Sequence, residues 1–161
     1  MLGAATLRTE PLWGGSAMTV EGLISIPSSF GAKETMDRLE AAARASGAII
    51  FARIDHAAGA AAVGESLEPT EVLIFGNPRA GTPLMQARQT IGIDLPLRVL
   101  AWRDPAGQVW ISHDDPAWLA KRHGIGAEAA STSAHMAAML KALTRKAAGA
   151  PPGSGAPGIN P

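Results

Sequence analysis

The chain contains no cysteine, which excludes disulfides, thiolate metal ligands, a zinc ribbon and a cysteine nucleophile. Neither sign of charge is in excess, since 14 Lys and Arg balance 14 Asp and Glu. No net field exists to gather nucleic acid or an anionic membrane, so neither is expected as a partner. No run approaches the roughly eighteen apolar residues of a membrane-crossing helix, and a cytoplasmic location is expected. Phosphate loops of the Walker and dinucleotide types are missing, because "GNPRAG" lacks both their spacing and the lysine. "SIPSSFG" offers no nucleophile elbow. No cofactor is expected.

What is present fits one domain. At 161 residues a single core suffices, burying roughly two thirds of the surface of the unfolded chain. Residues 1–17 contain Pro11 and Gly14-Gly15 where a signal helix would continue, and read as a disordered leader with Met18 as a possible functional start. Residues 149–161, "GAPPGSGAPGINP", have little apolar area to offset the entropy of ordering and read as a disordered tail. The domain is expected at 18–148.

Alternating residues from Thr19 to Ile26 predict a first strand, with Val20, Ile24 and Ile26 on one face. Met36 and Leu39 at helical spacing predict a helix from Ala32 to Ser46, capped by Ser29 and stopped by Gly47. "AIIFARID" and Glu71 to Phe75 predict two more strands, with at most a helical turn in the Ala-rich stretch between them. Asn77-Pro78 is expected to end the third strand. Thr82-Pro83 is expected to cap a helix of about two turns that buries Leu84, Met85 and Ile91. "LRVLAWR" and "QVWISH" then form a hairpin around "DPAG". Asp115-Pro116 caps a helix ending at Gly124. A last helix, capped near Ser131 or Thr132, carries Met136, Met139, Leu140 and Leu143 toward the core.

Segregated strands and helices argue an α+β two-layer domain. "ARIDHAAGA", "LEPTEVLIFGNPRAGTPLM", "IDLPLRVLAW" and "DPAWLAKRHG", in this order, resemble the bacterial and archaeal family known as domain of unknown function 302. The resemblance spans about Thr19 to Gly124 and is most specific in the "FGNP...GTPLM...DLPL" run. It implies a fold similar to the TATA-binding protein, a curved antiparallel sheet of about five strands gripped by helices, without implying DNA binding. It brings no reaction and no cofactor.

A hairpin that pairs Arg103 with Gln108 puts Leu100 opposite Ile111 and Arg98 opposite His113. In the implied meander, Asn77, Asp94, Arg98, His113 and Asp115 converge at one end of the sheet, a candidate site for a small polar or anionic ligand. The same residues have structural roles open to them: Asn77 and Asp115 as caps, Arg98 and His113 as a strand-end charge network. His56 is a secondary candidate at the opposite rim, too distant to complete a metal site with His113 and Asp114, so no metal is expected. His123 and His135, on helices without ligand partners at useful spacing, read as surface or packing residues.

Two functions stay open. One is a non-catalytic module, a homodimer on the base rate of symmetric assemblies and on four tryptophans, that binds a small ligand or a partner. The alternative is an enzyme with His113 or His56 as acid or base, aided by Asp115 and Arg98. A purely structural module ranks third.

Overall fold

A computed structural model describes residues 20–149. The leader expected at 1–17, Met18 and most of the tail expected at 149–161 lie outside the described residues. Five strands, β1 (Leu23–Pro27), β2 (Ile49–Asp55), β3 (Thr70–Gly76), β4 (Leu97–Arg103) and β5 (Val109–Asp114), form one sheet in the order β1-β5-β4-β3-β2. Every neighbouring pair is antiparallel. The helices are α1 (Ala32–Ala45), α2 (His56–Ala62), α3 (Pro78–Ala87), α4 (Pro116–Arg122) and α5 (Ala130–Ala148). This is the expected α+β architecture.

One face of the sheet meets α1 and α5. Met36, Leu39 and Ala43 of α1 and Leu140 and Leu143 of α5 close on Leu73, Phe75, Val99, Ala101 and Ile111. Alternation along β3 and β4 sends these strand residues to the helix side, and most of them are fully buried. Arg38 fastens the two helices together: its guanidinium donates to the carbonyls of Ala147 and Lys146 at 3.1 Å each and lies 4.1 Å from the centre of the Phe30 ring. Those carbonyls lack partners within their own helix, so α5 ends on a side chain of α1.

Gly149 completes that end. Its φ is +73°, and a Cβ there would sit 2.6 Å from Cε2 of Phe30. Gly149→Ala is therefore expected to cost about 2 kcal/mol, combining a left-handed backbone with displacement of the Phe30 ring. Urea unfolding would measure it, and an unchanged midpoint would show that the ring moves aside freely.

Arg53 is the charged group at the helix–sheet seam. It contacts Glu71 at 2.6 Å, Asp37 at 2.6 Å and Glu40 at 3.1 Å. Its own pKa rises, chiefly through the Glu71 bond. The Asp37 carboxyl is held below its usual range, first by Lys33 and then by Arg53, and that of Glu40 first by Arg44 and then by Arg53.

The observed elements correct five expectations. First, β1 begins at Leu23, because a turn closed by Leu23 N–H donating to the Val20 carbonyl occupies the start of the segment. Second, Ser29 does not cap α1. Gly31 stands at the cap, while Ser28 bonds Thr35 at 2.6 Å. Third, α2 is a seven-residue helix, capped by the Asp55 side chain, with no buried residue. Fourth, α3 starts at Pro78 under an Asn77 cap, and Pro83 lies inside it. Proline without its N–H is suited to a first turn, and of the two Asx/Thr-Pro pairs the earlier one took that role. Fifth, α5 starts at Ala130 after a short 3-10 turn, with no side-chain cap.

The hairpin register also differs. Val99 pairs with His113, Ala101 with Ile111 and Trp102 with Trp110. The connection holds one residue more than a two-residue turn, with Gly107 at φ +88° and Asp104 N–H donating to the Gln108 carbonyl. A three-residue loop of this kind puts glycine in the left-handed position and shifts every pairing by one.

Candidate functional site

That one-residue shift separates Arg98 from His113. Arg98 lies on the face away from α1 and α5, while His113, 5 % exposed, points to the helix side beside Val99 and Ile111. Its Nδ1 is 2.8 Å from the Asp114 carbonyl. The facing Arg98–His113 pair expected from the sequence does not form. Arg98 instead reaches Asp114 at 3.7 Å and Asp94 at 3.2 Å.

Asp94 is a hub. Only 5 % exposed, its carboxylate receives Arg98, both-oxygen contacts at 3.1 Å from Arg122, and Nε2 of His123 at 2.6 Å. A carboxylate can only accept, so Nε2 of His123 donates to it, and Nδ1 shares a hydrogen bond with Thr90 Oγ1 at 3.0 Å. The cluster ties the 3-10 turn Gln89–Ile93 and the start of β4 to the end of α4. His123, read from the sequence as a surface or packing residue, is a central member. Its partner lies 29 positions away, and nothing in local spacing signals that.

The remaining candidates divide. Asp115 caps α4, its Oδ1 accepting from Ala117 N–H at 2.9 Å. Asn77 caps α3 in the same way through Arg79 N–H at 2.9 Å. His56 opens α2 beside Asp55, across the sheet from the end where Gly76, Leu97 and Asp114 meet. Among the described residues no group of three His, Asp or Glu is placed to hold a metal.

Of the five residues expected to converge, Asn77 lines a cavity that the other four do not reach. This space of about 280 Å³ lies between α3, α5 and the ends of β2, β3 and β4. Its walls are apolar, with Met85, Met136, Met139, Phe51 and Leu95 as the large side chains. Thr82 and His135 add polar groups. Phe51 reaches the cavity because β2 carries a bulge: Ile50 pairs with Phe75 and Ala52 with Ile74, leaving Phe51 as the extra residue. Three methionines give a wall of flexible, polarizable side chains that adapt to a guest and make favourable contacts with aromatic rings. His135, read from the sequence as a surface or packing residue, belongs to this wall.

A broader groove of about 670 Å³ runs beside α1, past Asp37, Asp55 and Glu71. Three of its carboxylates are already engaged: Asp55 caps α2, and Asp37 and Glu71 hold Arg53. The smaller cavity is the better formed site, with a dry wall and few polar groups.

Known proteins of the same construction add context. The family described as "Domain of unknown function DUF302" matches residues 24–143. A crystal structure of an uncharacterized conserved DUF302 protein from Bacillus stearothermophilus superposes with a TM-score of 0.71, covering 80% of this chain and 99% of that one at 19% identity. At that identity the likeness is one of fold. Two curated relatives, each named a fluoride-specific ion channel FluC 1, from Brucella suis biovar 1 (strain 1330) and Brucella abortus biovar 1 (strain 9-941), are 46% identical over 128 residues. The match covers 80% of this chain but 50% and 47% of theirs, so the chain spans about half the length of these relatives. Among its described residues no helix is long and apolar enough to cross a membrane.

Proposed function

This chain belongs to the DUF302 family, whose description carries no activity, and from its own geometry we propose a non-catalytic domain that binds a small, mostly apolar molecule. The observation that carries this reading is the cavity of about 280 Å³ walled by Met85, Met136, Met139 and Phe51. A volume near the lower limit of ligand pockets suits a one- or two-ring compound. Ser46, Asn77, Thr82 and His135 are the polar side chains among its lining, so the ligand carries a polar or acidic end on a flat apolar body. A cytoplasmic site of action accompanies the proposal.

The Brucella relatives fit the same reading. Ion conduction needs a path across the bilayer, and among the described residues of this chain no helix is long and apolar enough to cross one.

Catalysis has one observation on its side, the relay from Thr90 through His123 to Asp94. It resembles a hydroxyl–imidazole–carboxylate chain. Two facts weigh against it. The Asp94 charge is already met by Arg98 and Arg122, and the cavity does not extend to Thr90.

Titration with 8-anilinonaphthalene-1-sulfonate, displaced by small aromatic carboxylates, tests the binding proposal. Saturable binding at one site, with dissociation constants in the micromolar range, is expected. Native mass spectrometry of protein taken from its own host should show an added small mass. Absence of both saturable binding and added mass overturns it.

A further inference from the structure

Helices α1 and α5 account for one face of the sheet. The other carries a continuous apolar surface across four strands: Ile54 and Ile74 on the β2 side, Val72, Leu100 and Trp102 in the middle, and Trp110 beyond. They are neighbours by register, since Ile54 pairs with Val72, Val72 with Leu100, and Trp102 with Trp110. The two indoles stack, with centroids 6.4 Å apart.

The polar groups on this face are satisfied within the chain. Trp102 Nε1 donates to Ser112 Oγ at 2.9 Å, Ser112 bonds Ser25 at 2.7 Å, and Trp110 Nε1 donates to Asp104 at 2.9 Å. Covering the face would strand none of them. A charged pair, Arg98 with Asp114, stands at one end of the face. An apolar centre with charge kept to its margin is the anatomy of a protein interface.

Size and symmetry select the occupant. Five strands about 4.8 Å apart and about 20 Å long present roughly 500 Å² in outline, and side-chain relief raises this toward the ~800 Å² per partner of an ordinary stable complex. Patches of that size rarely stay uncovered. β4 is the middle strand of the five, and Leu100 is the middle residue of β4. A two-fold axis in the plane of contact that passes Leu100 therefore lays the whole face onto itself. A net charge of zero opposes no such pairing. The edges do not compete: β2 is bulged at Phe51, and β1 has five residues and ends in Pro27.

We propose that two copies of this chain associate face to face through the side of their sheets turned away from α1 and α5, with Leu100 near the two-fold axis. Sedimentation of the full chain at 50 µM should give about twice the monomer mass of 16.5 kDa. Leu100→Glu, and separately Ile74→Lys, should raise the dimer dissociation constant on the order of 100-fold, while Lys141→Glu on the exposed side of α5 should leave it unchanged. Circular dichroism establishes that each variant is folded, and dilution of the wild type should red-shift tryptophan emission as Trp102 and Trp110 become hydrated. A wild-type monomer at 50 µM overturns the proposal. So does a dimer that survives both substitutions, which would place the contact elsewhere.

Discussion

Asp94→Ala should lower stability by about 3 kcal/mol, more than truncation of any one of its partners, and lower the thermal midpoint by roughly ten degrees. The buried carboxylate is bonded by Arg98, Arg122 and His123. Arg98 and Arg122 have side chains 44% and 49% exposed, so water can take up their charges once the acceptor is gone. His123 is 7% exposed and has no such recourse. The cost falls at the lower limit for breaking a fully buried pair, because one partner of three is stranded. Arg98→Ala should cost about 1 kcal/mol, as half-exposed ion pairs do. Urea denaturation of the two variants checks the order. Equal losses would mean that Asp94 is solvated, and lost ligand retention at unchanged stability would move the binding site to this cluster.

Gly81→Leu should abolish binding of the aromatic probe, a loss of at least 100-fold, without lowering stability. Gly81 lies inside α3, and a Cβ there would stand 3.6 Å from Leu95 Cδ1 and 3.8 Å from Met85 Cε, ordinary contact distances. Both neighbours line the cavity. A leucine at 81 grows into the space a guest would fill. Glycine within a helix costs about 1 kcal/mol relative to alanine, so the replacement favours the helix while it fills the void. Loss of binding with an equal or higher midpoint is the expected signature, and it separates an occupied cavity from a general loss of folding. Unaltered binding in a folded Gly81→Leu protein would show that the probe sits elsewhere.

The sequence by itself determined the five strands, the helices other than α2, and their order, because period and punctuation are local. The "DPAG" turn marked "LRVLAWR" as one arm of a hairpin, helical spacing marked Met36 with Leu39 and Met136 with Leu140, and Asp115-Pro116 set the start of α4. The motif run "FGNP...GTPLM...DLPL" pointed to the right family. It also brought Asn77, Asp94, Arg98 and Asp115 to one end of the sheet, since an antiparallel meander places alternate strand ends together.

Tertiary structure decided which of them meet. A single left-handed glycine, Gly107, changed the hairpin loop by one residue and turned His113 to the opposite face from Arg98. Sequence periodicity cannot resolve that shift, because strands apolar on both faces satisfy either register. The partners of Asp94 on α4 and the bulge that aims Phe51 into the cavity depend on contacts between residues far apart in the chain. So does the position of His135 in the cavity wall. Such contacts are set by how packed layers close on one another, and volume and shape, unlike period, are not written in any local stretch.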